Sequence, residues 1–410
     1  MKKLLNFEYA CIHGTYWMFY GVASSFASVF LLARGYSNSE IGVVLAAANI
    51  LAVVMQPLVA DLADRVKKIS LIGITEIMTI MMMVMTVGLF AFKGKTLALA
   101  VIFVLLIAWH TVLHPLFNSL TFKLEECGIH INFGVARSMG SLAYSLLMAV
   151  LGTLVERHGV TVLPITGEVI LVMLLLSLFF TKRQYDKAKA IKDNKAAIRA
   201  SEGAEGKPAE TEQAEEEIDL RRFIQRNKLF FVVNLGVIGL YFSNSILNNY
   251  MMQIVSVVGG DSEDMGRILS LMAFLEIPTM VCFDLLRRKF SCQLMLKVAA
   301  VGFTLKIGMC FLAQSVAMIF VAQFFQLISF ALFLPAMVHF INQVCSRGEA
   351  VKGQALFTTM VTVTTVFSSL AGGVILDVSG ARMLTLIATL ATAAGAVLII
   401  AVIDKVKQAD

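Results

Sequence analysis

The chain has 410 residues, of which 58% are hydrophobic and 15% charged, with a formal net charge of +6. A soluble globular chain is nearer half apolar and a quarter charged, so this composition excludes an ordinary soluble domain. Long apolar runs recur along the whole length, each sufficient to cross a hydrocarbon core of about 30 Å, which implies a polytopic membrane protein.

Met1-Lys2-Lys3 is basic, but the run behind it includes Glu8 and continues to about Leu32. That is too long for a signal h-region, so the segment is taken as a retained first span. The pattern predicts twelve spans. The first six lie near 8–33, 39–62, 69–92, 96–122, 133–155 and 160–181. The second six lie near 228–257, 265–286, 292–313, 315–343, 352–377 and 383–403. The predicted fold is an all-α membrane protein of two six-helix repeats around a central cavity. It divides into an N-terminal bundle 1–181, a cytoplasmic linker 182–227 and a C-terminal bundle 228–410.

Lysine and arginine orient the spans. With both termini inside, only Arg34, Lys93, Lys95, Arg157, Arg267 and Arg382 fall in outer segments, and Arg137, Lys297 and Lys306 fall within spans. The remaining basic residues are cytoplasmic, which predicts a multi-pass protein of the cell (inner) membrane. The same bias explains the net charge without a nucleic-acid partner. The cysteines show no paired spacing, and neither a disulfide nor a metal site is expected. The linker is basic at first ("KRQYDKAKAIKDNKAAIR") and acidic after ("SEGAEGKPAETEQAEEEID"), as a flexible connection between halves would be.

The halves echo each other. Asp61–Arg65 ("DLADR") follows span two and Asp284–Arg288 ("DLLRR") follows span eight. Gly134-x-Ala136 opens span five and Gly353-x-Ala355 opens span eleven. Gly152-x-x-x-Glu156-x-x-Gly159 ends span five and Gly373-x-x-x-Asp377-x-x-Gly380 ends span eleven. All three pairs recur at nearly one spacing, which is the mark of a duplication, and paired repeats around a midplane site are a transporter architecture.

At this point the chain resembles the major facilitator superfamily. Pro57–Lys68 ("PLVADLADRVKK") is similar to that family's loop between spans two and three, with Ala60 where a glycine is usual. The resemblance implies a conformational latch at Asp64 and Arg65, with Asp284 as the counterpart in the second repeat. "FGVARSMGSLAYSL" resembles the span-five signature of the proton-linked sugar and nucleoside symporters, the lactose permease branch, in Phe133, Gly134, Arg137, Gly140, Ser141 and Tyr144. It implies that Arg137 hydrogen-bonds substrate hydroxyls and that Tyr144 stacks on a ring. The branch's span-four carboxylate is missing. That neighbourhood offers Asn118, Ser119 and two histidines instead. Span ten carries Gln323 and Gln326 where the lactose permease has a histidine and a glutamate.

Ionisable groups inside spans usually face a cavity or a partner. Glu276 lies mid-span in "LMAFLEIPTM", where Pro278 is expected to kink the helix. A buried carboxylate can exchange a proton near neutral pH, so Glu276 is the proton-site candidate, with a structural ion pair to Lys306 as the equal alternative. His110 and His114 are four apart and share one helix face. They are cavity-lining proton and substrate groups or, alternatively, histidines satisfied by helix packing. Glu76 is expected to be structural, either snorkelling or pairing with basic loop residues. Asn244 and Asn248 share a face of span seven, and span one offers Tyr16, Trp17 and Tyr20. Amides and aromatics suit a hydroxylated ring.

These features predict a proton-coupled symporter of a saccharide or nucleoside working by alternating access. Arg137, Tyr144, Tyr20, His114, Asn118, Asn244, Asn248 and Gln326 would bind substrate. Glu276, Lys306 and His110 would handle protons. The alternatives are proton-linked efflux of an organic compound and a non-transporting sensor on the same fold. No enzyme motif and no GxxxxGK[ST] occurs, so the expected energy source is the proton gradient, with no cofactor and no metal. The expected partners are a small-molecule substrate and the bilayer, and the expected state is a monomer.

Overall fold

No water in a hydrocarbon core can satisfy backbone N–H and C=O groups, so apolar runs of this length must close their hydrogen bonds internally. The structure, a computed structural model, describes residues 2–65, 69–126, 133–201, 227–345 and 349–406, and every regular element in them is helical. Among the described residues, ten helices are long and apolar enough to cross a membrane, or eleven if one bent pair is taken as a span. The N-terminal helices are α1 (Lys2–Tyr20), α2 (Ala27–Ala33), α3 (Asn38–Arg65), α4 (Leu71–Gly88), α5 (Leu97–Glu126), α6 (Phe133–His158) and α7 (Val162–Ser201). The C-terminal helices are α8 (Lys228–Ser256), α9 (Ser262–Lys289), α10 (Cys292–Leu312), α11 (Val316–Ala322), α12 (Phe330–Val344) and α13 (Ala350–Val402).

Several expected spans are not straight. The first is interrupted by a π-helical turn, Gly21–Ser25, and bends by 40°. The small residues there let α6 approach: a Cβ on Gly21 would stand 2.3 Å from the Met148 methyl. The tenth breaks into α11, a 3₁₀ turn Gln323–Leu327, and α12. Thr279 donates to the Leu327 carbonyl (2.9 Å), supplying a donor where the helix does not. Pro278, by contrast, does not break α9, which runs unbroken from Ser262 to Lys289. The expected spans 352–377 and 383–403 are joined in α13 across a kink at Gly380 (φ 77°).

The linker also departs from expectation. Residues 182–201 are not a flexible tether but continue α7 as helix, because lysine, alanine and arginine are good helix formers. Residues 202–226 lie outside the described residues. Glu76 pairs with Lys182 at 2.7 Å, at the root of this extension.

The two sets of helices meet mainly at one end, here called the far end, away from the linker. There Gly152 lies so close to α9 that a Cβ would stand 2.2 Å from the Ser262 carbonyl, and Gly373 stands likewise to Asn38 at 2.3 Å. Beside each glycine contact a carboxylate accepts N–H groups from the start of a helix in the other half. Glu156 accepts from Ser262 (3.3 Å), and Asp377 accepts from Asn38 (3.1 Å) and Ser39 (2.7 Å). Gly159 and Gly380, which close the two motifs, both take φ 77°, a left-handed conformation glycine adopts without strain. One buried apolar cluster runs from Leu5 across the far end to Ala388. A second, from Phe230 to Ile403, fills the linker-end part of the C-terminal helices alone. The apolar core is therefore continuous across the far end and divided at the linker end.

Candidate functional site

Between the halves lies a cavity of about 260 Å³. α1 supplies Trp17 and Tyr20, α6 supplies Arg137, Ser141 and Tyr144, and α8 supplies Tyr241, Asn244, Asn248 and Asn249. Glu276 comes from α9, Gln326 from the broken turn, and Thr365 from α13.

The "FGVARSMGSLAYSL" stretch explains itself residue by residue. Gly140 has no side chain because Trp17 occupies the space: a Cβ there would stand 2.5 Å from the indole. The Arg137 guanidinium then lies over the Trp17 ring, 4.3 Å from its centroid. A cation over an indole face is an attraction of about 0.5–2 kcal/mol. Arg137 also donates to the Ser141 hydroxyl, one turn on (3.0 Å). Tyr144 bonds to Ser25 (2.8 Å), which holds its ring against the cavity. Trp17 is thus a platform for the arginine, a role that its position in span one did not reveal. Its Nε1–H is enclosed without a hydrogen-bond partner among the described residues.

Glu276 faces Arg137 across the cavity and interacts with it electrostatically, so the acid absent from span four is supplied by α9 in the other half. The two are not joined as an ion pair among the described residues. Glu276 is held instead by Gln326, whose amide N–H donates to Oε1 (2.8 Å). The same amide's oxygen accepts from Lys306 Nζ (2.5 Å), which is 1% exposed and also touches the Met272 sulfur (3.3 Å). The expected Glu276–Lys306 pair is therefore bridged by an amide. Lys306 stands behind the cavity wall rather than in it.

The structure brings Arg137, Tyr144, Tyr20, Asn244, Asn248, Gln326 and Glu276 to one cavity. It does not bring His110, His114 or Asn118 there. Their shared face on α5 turns toward α1: His110 stacks on Tyr16 (4.2 Å) and bonds to its carbonyl oxygen (3.1 Å), and His114 lies against the same ring. Of the two readings for this pair, the geometry matches helix packing. Spacing identifies a common face but not its neighbour. His13, which the sequence did not single out, joins this contact through Tyr9 (2.9 Å), and Tyr9 reaches the Phe117 carbonyl (3.1 Å).

The latch residues stand apart at the linker end. Arg65 pairs within its own helix with Asp61 (2.8 Å), and Asp284 with Arg287 (3.6 Å). The Asp64 side chain lies outside the described residues.

Many apolar helices enclosing one polar, charged cavity define a multi-pass membrane transporter. The chain belongs to the MFS_1 like family, whose model matches residues 9–387, and is a transporter of the major facilitator type rather than an enzyme. Its fold is that of solved transporters at low identity. A variant of the nucleoside transporter NupG aligns with TM-score 0.75 and 14% identity over 97% of this chain and 99% of that one. A bacterial homologue of the human lysosomal transporter Spinster, in an inward-facing and unoccupied conformation, aligns with TM-score 0.66 and 13% identity over 99% and 97%. A variant of the peptide transporter POT aligns with TM-score 0.71 and 12% identity over 98% and 95%. Comparison with curated protein sequences finds no match.

Proposed function

We propose that the protein is a proton-coupled symporter of a small hydroxylated solute, a nucleoside or saccharide, working by alternating access. The observation that carries this reading is the charge arrangement of the cavity. Arg137 from one half and Glu276 from the other face each other without direct contact, and amides and tyrosines line the space between them. A ligand that fits there touches both halves at once, which is what couples occupancy to their relative movement. Arg137 and Asn244, Asn248 and Gln326 offer directional hydrogen bonds, while Tyr20 and Tyr144 offer ring faces. About 260 Å³ is small for a ligand site, which favours a nucleoside or monosaccharide over longer substrates. The fold shared with NupG makes nucleosides the first solutes to try.

Glu276 is the proton carrier in this reading, and Lys306, acting through Gln326, biases its charge. The architecture is twelve spans in two six-helix repeats, with α13 counting as two spans and the broken α11–α12 as one. The repeated Gly-x-x-x-acid-x-x-Gly motif supports this. Both termini are cytoplasmic in an inner membrane, from the positive-inside bias. The protein acts as a monomer, with a proton gradient as its energy source and no cofactor.

The test is counterflow and pH-gradient-driven uptake of labelled nucleosides and monosaccharides in proteoliposomes. Glu276→Gln is expected to abolish gradient-driven accumulation while leaving counterflow. Accumulation at the unmodified level in Glu276→Gln would remove the proton assignment. Arg137→Lys is expected to lose both activities, because lysine lacks the planar fork and stacks poorly on Trp17. Normal transport by that variant would contradict the recognition role.

A further inference from the structure

A second cleft, of about 480 Å³, lies at the linker end where α1 packs beside the end of α7. Its lining mixes two kinds of group. Leu4, Phe7 and Phe180 are apolar and 45%, 65% and 48% exposed, as side chains facing lipid would be. Arg183 and Lys187 are exposed cations four apart, on one face of α7 just past the point where its sequence turns from apolar to basic. That change of composition places the cleft at the level of headgroups.

Glu8 makes this cleft more than a basic patch. It lines the same space, is only 8% exposed, and its Oε2 is enclosed with no hydrogen-bond partner among the described residues. Neither Arg183 nor Lys187 forms an ion pair with it among the described residues. An enclosed carboxylate oxygen without a donor is costly, so Glu8 favours a positively charged hydrogen-bond donor beside it.

We propose that this cleft binds an aminophospholipid. The phosphate lies at Arg183 and Lys187, the primary ammonium donates to Glu8, and the acyl chains run along Leu4, Phe7 and Phe180. Each part excludes a different competitor. A purely anionic headgroup would meet the Glu8 carboxylate without a cation between them. A choline headgroup has the charge but no N–H to donate. A soluble phosphoethanolamine satisfies the polar groups but leaves the apolar wall uncovered.

The test uses the purified, delipidated full-length protein in detergent. Phosphatidylethanolamine, phosphatidylglycerol and phosphatidylcholine are added at equal mole fraction, with soluble phosphoethanolamine as a fourth arm. Bound lipids are counted by native mass spectrometry, and Tm is followed in parallel. Phosphatidylethanolamine is expected to be retained at the highest occupancy and to raise Tm most. Glu8→Gln is expected to erase its advantage over phosphatidylglycerol. The Arg183→Ala, Lys187→Ala pair is expected to reduce retention of both. That pair alters only exposed side chains, so it keeps the test valid if Glu8→Gln folds poorly. Equal retention of phosphatidylcholine or phosphatidylglycerol, or an undiminished ethanolamine preference in Glu8→Gln, would overturn the proposal. Displacement of bound lipid by soluble phosphoethanolamine would overturn the lipid as the source. None of these readouts depends on which solute is transported.

Discussion

The two ends of the molecule are built on opposite principles. At the far end, backbone meets backbone across the halves, and each glycine contact is accompanied by a carboxylate at the start of a partner helix. A carboxylate is favourable there because the first N–H groups of a helix lack internal partners and carry partial positive charge. At the linker end the described charges of the segments Asp61–Arg65 and Asp284–Arg288 pair only within their own helices, with Arg65 78% and Asp284 77% exposed at the side chain. The difference teaches how one scaffold can be closed at one end and parted at the other. Closure needs a missing Cβ and an acid in register, and the same motif provides both twice. The two closures are not equal, however. Asp377 accepts from Asn38 N, Asn38 Nδ2 and Ser39 N, and Asn38 is itself held by Gln253 (2.9 Å). Among the described residues Glu156 accepts only a 3.3 Å bond from Ser262, and the same two helices are joined again several turns away by Ser145 with Ser270 (2.9 Å).

This contrast can be broken most directly through the glycines. Gly373→Leu places carbon where the Asn38 carbonyl stands, an overpacking cost of about 1–3 kcal/mol that only separation of the halves relieves. A pulsed-EPR distance between labels at Lys93 and Val378 should lengthen in most molecules. An unchanged distance would show that the far end does not depend on this contact. Next in size is Asp377→Ala. Losing charge-assisted bonds of about 1.5–3 kcal/mol should speed hydrogen exchange at Asn38 and Ser39 by roughly tenfold or more. Glu156→Ala should do less at Ser262, below about 1 kcal/mol, because its bond is longer. If the Glu156 variant exchanged faster than the Asp377 variant, the ranking of the two closures would be reversed. The smallest effect belongs to the linker end. Arg65→Ala and Asp284→Ala remove exposed pairs within single helices, worth about 0.3–0.5 kcal/mol, so Tm should barely move. A large Tm loss in either would mean that these residues already bridge the halves.

Much of the site was legible because burying charge in a membrane is expensive. Arg137, Glu276 and Lys306 stood out in apolar runs for that reason alone, and two of the three line the cavity. The amides Asn244 and Asn248 were found by their common face. What escaped was the packing around these residues. Nothing in its own stretch of sequence marks Trp17 as the seat of Arg137, because the contact depends on Gly140 of another helix. The histidine pair was correctly grouped on one face and still turned toward α1. Breaks were equally hard to place. Pro278 was expected to kink its helix, and α9 runs continuously through it, while the small residues of Gly21–Ser25 and the glutamine-bearing turn Gln323–Leu327 interrupt their spans.

The sequence by itself pointed to a helical membrane protein, to a motif that recurs in both halves, and to the charges that fall inside apolar runs. Each of these follows from local properties: run length against bilayer thickness, repetition of a motif, and the cost of an unsolvated charge. Only the tertiary structure decided that Glu276 answers Arg137, that an amide stands between Glu276 and Lys306, and that the halves close at the far end. These depend on which helix faces meet. That is decided by contacts between residues far apart in the chain, through glycines that admit a neighbour and turns that redirect a helix.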